Sequence, residues 1–371
     1  MESDDRSIEV YDQIHIPLSI TICLFGAISN VFNIIVLTRK NMRTPVNILL
    51  AGLSISQWLL ALSYLGLITI ELYRLQCYRL PWTYPFTWYR LINVNCNVIF
   101  HTVAFAHTLA IAVFRYTALK WPVAIRVHLY RTELAITATC SIWIIVPIIC
   151  SPIFFTSEVA KLDFNYMNCS ISVMYDLNYS NNTALLKFVF WMFGIVMKLI
   201  PSMVLAVLVI GLIRSLHSID KRRNQLSSGR LVENNVSMKT KRIYVSTTKL
   251  TRMLVIILFL CILVEFPHGV LNLCTGIYGA SFGVSVYDHL GSFMEMLTLL
   301  YSSISFILYC LMSTDYLHAF RSLFCSCTKF TVRHSSSTHL QILFRRSFNR
   351  DKSSVCINQD KFLPDHSDYQ L

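Results

Sequence analysis

The sequence predicts an all-α membrane protein: a seven-transmembrane helix bundle followed by a short amphipathic cytoplasmic helix, the eighth. Three observations carry this reading. The chain of 371 residues is 54% hydrophobic and only 14% charged, with a mean hydropathy of +0.53. Its apolar residues gather into seven runs, each longer than the ~20 residues that cross a ~30 Å hydrocarbon core as a helix. The basic residues gather on one side of those runs.

Residues 1–16 are polar and acidic, lack the basic start of a signal peptide, and are read as an extracellular N-terminus. The spans 17–38, 44–70, 91–114 and 134–157 contain no Asp, Glu, Lys or Arg. Span 188–213 is interrupted only by Lys198, span 253–278 only by Glu265, and the seventh, about 289–314, only by Glu295. Helices are the expected form, because lipid leaves no water to satisfy an open backbone. A Ser-, Lys- and Arg-rich cytoplasmic loop is expected at about 214–248. After the last span, Tyr316, Leu317, Phe320, Leu323 and Phe324 recur at helical spacing and make one apolar face, which suits a helix lying on the inner membrane surface. Cys325 and Cys327 at its end are placed for palmitoylation, or are free cytoplasmic thiols. The bundle with its eighth helix thus covers 17–325, and 326–371 reads as a disordered cytoplasmic tail.

Orientation follows from charge. With the N-terminus outside, only Arg6, Arg74, Arg79, Arg90, Lys161 and Lys187 of the 32 Lys and Arg face outward and Lys198 lies in a span; the rest face the cytoplasm, as the positive-inside rule requires. The net charge of +12 is therefore a topology signal plus attraction to anionic lipid, not a nucleic-acid footprint. Sequons at Asn168, Asn178 and Asn181 all fall on the outer side, between spans four and five. No inverted repeat supports a transporter, and no charge ring or filter-like glycine run supports a channel. No constellation of catalytic or metal-ligating residues supports an enzyme, and no cofactor is implied.

Local motifs sharpen the picture. The stretches "SNVFNIIVLTRKNMRTPVNILLAGLSIS", "AVFRYTALKWP", "KLIPSMVL", "VEFPHGV" and "SSISFILYCLMS", with Trp143, occur in order over residues 17–325. This ordered set resembles the rhodopsin-like (class A) G-protein-coupled receptors. Phe before Arg115, Glu-Phe-Pro in helix six and Phe306 before Tyr309 resemble the invertebrate FMRFamide- and myosuppressin-type neuropeptide receptors, nearest the nematode branch bordering the serpentine class W chemoreceptors. The resemblance implies an amidated peptide ligand ending in Arg-Phe-amide, a heterotrimeric G protein of the inhibitory class, arrestin at the tail, and a plasma-membrane location. A chemoreceptor for a small odorant is the alternative.

The resemblance assigns roles residue by residue. Arg115 and Tyr116 belong to the G-protein coupling site, with Tyr309 the partner of Arg115 in the active arrangement. Pro201 and Pro267 are the helix-five and helix-six prolines, Pro267 a credible pivot. Glu265 stands where the class has its switch tryptophan, as a group for ligand recognition or switching, or else as a carboxylate bonded to neighbouring helices. Glu295 near the outer mouth would take a ligand's arginine; Glu71 is either a second acceptor or a solvated helix end. Tyr64, Phe105, Phe190, Trp191 and His268 are candidates for a terminal phenylalanine amide, against the plainer reading that they pack. His101 and His107 read as polar contacts between helices. Gln57 and Ser305 replace the Asp and Asn that hold a sodium ion in the class, so that site is expected to be lost. Arg90 falls where the class has its helix-three cysteine, leaving Cys77–Cys169 or Cys96–Cys169 as the outer disulfide, the first reached more easily.

Overall fold

Once a span is committed to lipid, its backbone must hydrogen-bond to itself, and the elements follow that constraint. The computed structural model describes residues 2–120, 131–162, 173–228, 238–279, 282, 286 and 288–324. Its helices are α1 (Glu2–Leu37), α2 (Pro45–Leu75), α3 (Tyr84–Lys120), α4 (Thr132–Cys150), α5, α6 (Met238–Tyr278), α7 (Asp288–Met312) and α8 (Thr314–Phe324). Here α5 is continuous but composite: α-helix over Thr183–Trp191, π-helix over Met192–Leu199, then α-helix over Ile200–Ser228. Seven of these are long and apolar enough to cross a membrane. Residues Met1–Arg321 form one compact unit and Ser322–Leu371 a second, of which only the end of α8 is described.

Local signals set several boundaries. Thr44 caps α2, its hydroxyl accepting from Asn47 N at 3.3 Å, and Pro45 follows at the first helical position, where its missing N–H costs nothing. Asn182 caps α5 in the same way, accepting from Leu185 N at 3.1 Å. Cys77 turns the chain after α2 with φ 55°, a left-handed conformation that a non-glycine residue adopts rarely. The 3-10 turn Ser151–Phe155 closes α4, whose Ile144 and Ile148 stay more than half exposed, as a lipid-facing helix should.

Three features depart from expectation. Residues 2–16 are helical and continuous with the first span, with Pro17 inside the helix. The expected loop at 214–248 is mostly helix: α5 runs on to Ser228 and α6 starts at Met238, because its Lys, Arg, Gln and Leu favour helix as readily as coil. The segment between α4 and α5 holds an antiparallel hairpin, β1 (Ser157–Leu162) with β2 (Met174–Tyr179), in a register running from Ser157↔Tyr179 to Leu162↔Met174. Its strands lack a strict apolar alternation; Met174 and Leu162 instead pack on fully buried Trp82.

The main core lies between α3, α5, α6 and α7, around Phe105, Leu205, Leu258, Val264 and Tyr301. A second cluster joins α1, α2 and α7 through Cys23, Leu60, Tyr64 and Leu299. At the end opposite the hairpin, α8 is fixed by Tyr316, almost fully buried, whose hydroxyl donates to Asn33 Oδ1 of α1 at 2.6 Å. Burial pushes the pKa of that phenol up, so it remains a donor. Phe306, at the position of the usual proline, sets its ring 5.8 Å from Phe32 and 5.7 Å from Phe320. A proline there could not fill this space between α1, α7 and α8. Tyr316→Phe removes the one described donor to Asn33 Oδ1 and should cost about 1–3 kcal/mol, read as a lower unfolding midpoint in detergent; an unchanged midpoint would mean that the bond contributes nothing.

Candidate functional site

Four polar side chains meet in the interior where α3, α5 and α6 approach. Lys198 Nζ donates to Glu265 Oε2 at 2.9 Å, to His268 Nδ1 at 3.3 Å and to His101 Nδ1 at 3.4 Å. An ammonium only donates, so both imidazoles accept at Nδ1. His101 then carries its proton on Nε2, which donates to Glu265 Oε1 at 2.7 Å. All three ammonium hydrogens and both carboxylate oxygens are thereby used. Glu265 is 0% exposed and the other three are buried. An unpaired charge here would cost several kcal/mol; the closed network removes that cost.

The backbone brings these groups together in two ways. Seven residues make two α-helical turns, so a regular helix would put Trp191 and Lys198 on one face. The π-helical segment takes more residues per turn and breaks that register. Lys198 turns inward, while Trp191 stays 43% exposed and lies against Gly276 at the α5–α6 surface. Trp191, a candidate contact for a terminal phenylalanine amide, is therefore not with the cluster. Glycines also let α5 and α6 touch. A Cβ at Gly194 would stand 2.9 Å from Leu273 N, and one at Gly269 3.0 Å from Lys198 Cβ.

Glu295 on α7 is partly exposed and lies within electrostatic reach of Lys198 on α5 and of Cys23 on α1. Neighbours on opposite sides of the bundle place it toward the interior. Among the described residues its carboxylate has no hydrogen bond or ion pair. His268 belongs to the cluster, Tyr64 packs between α1, α2 and α7, Phe105 belongs to the main core, and the ring of Phe190 lies 6.1 Å from that of Tyr179 on β2. His107 is held by its own helix, through Nδ1 and Val103 O at 2.8 Å.

Glu71 stands at the hairpin end, 3.5 Å from Arg74 and 3.8 Å from Arg90. It is neither an open acceptor nor simply a solvated helix end: two arginines already share it. Asp176 of β2 pairs with both, Arg74 Nη2 at 2.6 Å and Arg90 Nη1. The Arg74 guanidinium also covers Trp82, 4.0 Å from the ring centroid. This clasp ties the hairpin to α2 and α3. Cys77 is held in a disulfide and Cys96 is free; Cys169 and Asn168 lie outside the described residues, as do Cys325 and Cys327. Asn178 in β2 and Asn181 after it are exposed.

At the α8 end, Arg115 is buried and within electrostatic reach of the Tyr309 hydroxyl. Tyr116 lies over Gly211 of α5, where a Cβ would come 2.5 Å from its ring, and its hydroxyl accepts from Lys120 Nζ at 2.7 Å. Pro201 lies two residues past the π-helical segment and Pro267 sits inside α6. Gln57 and Ser305 are buried in the middle of the bundle, the Ser305 hydroxyl returning to Ser302 O at 2.6 Å. No group of three or more His, Cys, Asp or Glu able to hold a metal occurs among the described residues.

Sequence reasoning named Glu265, Glu295 and His268 but missed Lys198 as the partner of Glu265. The signal was present: Lys198 is the one Lys or Arg in the predicted spans, and buried opposite charges pair.

Seven membrane-crossing helices, a closed polar knot and an arginine at the far end of α3 define a seven-transmembrane receptor. The family described as serpentine type 7TM GPCR chemoreceptor Srw matches residues 17–327; the chain belongs to this family and is a multi-pass, nematode-type G-protein-coupled receptor. Over 366 residues it is 24% identical to the G-protein coupled receptor dmsr-1 of Caenorhabditis elegans, with 88% of this chain and 71% of that protein covered.

The clasp predicts a measurable coupling. Arg90→Ala and Asp176→Ala should each cost about 1–3 kcal/mol of stability and couple by about 1 kcal/mol or more in a double-mutant cycle. Strict additivity in thermal melts would show that the pair contributes nothing.

Proposed function

We propose that this receptor sits in the plasma membrane with its N-terminus and hairpin outside, binds an amidated peptide of the Arg-Phe-amide type, and activates a heterotrimeric G protein of the inhibitory class. The observation that carries the ligand reading is charge balance inside the bundle. Lys198 and Glu265 neutralise one another, while Glu295 keeps a carboxylate with no described partner. The bundle interior therefore calls for a cation, which a ligand arginine supplies in a charge-assisted pair. The same balance disfavours a free C-terminal carboxylate, since Lys198 is already committed to three acceptors. Amidation removes that charge.

Further assignments accompany this reading. Arg115, Tyr116 and Tyr309 form the coupling end, with Pro267 as pivot and Pro201 shaping α5. Cys77 pairs with Cys169, which the free state of Cys96 favours. Asn168, Asn178 and Asn181 carry glycans, Cys325 and Cys327 carry palmitate, and the tail recruits arrestin. The family's description as chemoreceptors supports a second reading, a small-molecule odorant, in which Glu295 would take an amine.

The deciding experiment is G-protein activation in transfected cells by Arg-Phe-amide peptides and by their free-acid forms. Response to the amides alone is expected, and Glu295→Gln should lower potency about 10–100-fold, the loss of one charge-assisted bond. Silence across the peptides at confirmed surface expression, with responses to amine odorants, would favour the second reading. With no carboxylate at Gln57, agonist affinity should not shift when sodium replaces another monovalent cation at matched ionic strength; a sodium-dependent shift would refute the loss of that site.

A further inference from the structure

We infer that the Lys198–Glu265–His101–His268 cluster is a latch that holds α6 in its resting position, so that Glu265 sets basal signalling instead of receiving the ligand's cation. The inference rests on the G-protein-coupled reading of the chain and is independent of which ligand it takes.

Four observations converge on it. Both oxygens of Glu265 are occupied, one by Lys198 of α5 and one by His101 of α3, and the residue is 0% exposed; a ligand cation would have to displace Lys198 to reach it. The network spans three helices that pack on one another around the same core. Pro267 lies two residues beyond Glu265 inside α6. Its missing N–H removes the helix bond to residue 263 and leaves a hinge beside the latch. Finally, α5 and α6 are joined again away from the cluster, by the Gly194–Leu273 approach on one side and by Arg252 Nη2 to Asp220 Oδ2 at 2.6 Å on the other. The pair is therefore built to move together, and the hydrogen bond from His101 to Glu265 crosses the boundary between that pair and α3.

The chemistry makes the latch cooperative. Lys198 needs both imidazoles as acceptors, which requires both to be neutral with Nδ1 unprotonated. Glu265 needs the Nε2 proton that this tautomer leaves on His101. Removing one member strands the others in a medium that cannot solvate them, so the network is whole or it is broken. Broken, it no longer opposes rotation of α6 at Pro267.

The test needs no ligand. Full-length receptor is expressed in cells with a panel of G proteins, and basal G-protein dissociation is measured per receptor at the surface. Glu265→Gln, Lys198→Met and His101→Ala should each raise that basal signal by about tenfold, as expected when a minor active population becomes a major one. The exchange Lys198→Glu with Glu265→Lys should restore a low basal signal, because both histidines can shift their protons to the other ring nitrogen and re-form the network. A purely structural role would reduce surface number without raising signal per receptor. That result, or singles that reach the surface with wild-type basal signal, overturns the latch. Where a charge variant fails to reach the surface, His101→Ala supplies the same reading without leaving a net buried charge. Failure of the peptide reading would appear as silence toward amidated peptides and would leave this basal result unchanged.

Discussion

An ammonium gripped by a carboxylate inside a seven-helix bundle decides how three of its helices meet. Neither charge can be left alone in lipid, so the pairing of Lys198 with Glu265 fixes the rotation of α5 relative to α6. Other features serve that contact. The π-helical segment turns Lys198 inward. Glycines at 194 and 269 let the two backbones close to the required distance. His101 brings in α3 and satisfies what remains of the carboxylate. A chain of ordinary hydrophobic spans thus acquires one polar centre on which its geometry converges.

The hairpin end solves a related problem differently. In the resembled class a cysteine at the start of helix three anchors the outer segment covalently, and here Arg90 occupies that place. The structure joins the same two parts through Asp176, which Arg74 and Arg90 share with Glu71. Arg74 is buried while Arg90, Asp176 and Glu71 stay partly exposed, so their attraction is screened less than that of fully exposed charges and avoids the full desolvation penalty of a deep pair. Trp82 beneath Arg74 supplies the apolar footing. Beside the cysteine bond proposed at Cys77, the hairpin is thus held by ion pairs that no cysteine count would reveal.

Much of the fold was legible because lipid imposes a coarse rule. A run of some twenty uncharged residues is a helix, and exceptions such as Glu265 and Glu295 announce themselves. What was not legible depends on partners far apart in the chain. Glu265 meets Lys198 across 67 positions and His101 across 164, and neither separation leaves a local pattern. The hairpin escaped because its strands are held by Trp82 and two arginines of other elements. The extensions of α5 and α6 escaped because charged residues that mark the end of a span do not mark the end of a helix. Phe306 read as a departure from pattern and proved to be a packing choice, filling a space between α1, α7 and α8.

The π-helical stretch of α5 also bears on how such receptors diverge. A π-turn is what an α-helix becomes when one residue is inserted without disturbing either end. Deleting a single residue between Met192 and Leu199 would let the helix relax to its regular form with both flanks held in place, shifting the residues of the segment itself by up to one helical position, about 100°. Lys198 would leave the interior, and a carboxylate in α6 would lose its counter-charge in one genetic step. Length variation here is therefore not neutral drift: a one-residue indel acts as a rotation, and a lineage that lost the bulge would have to replace Glu265 as well.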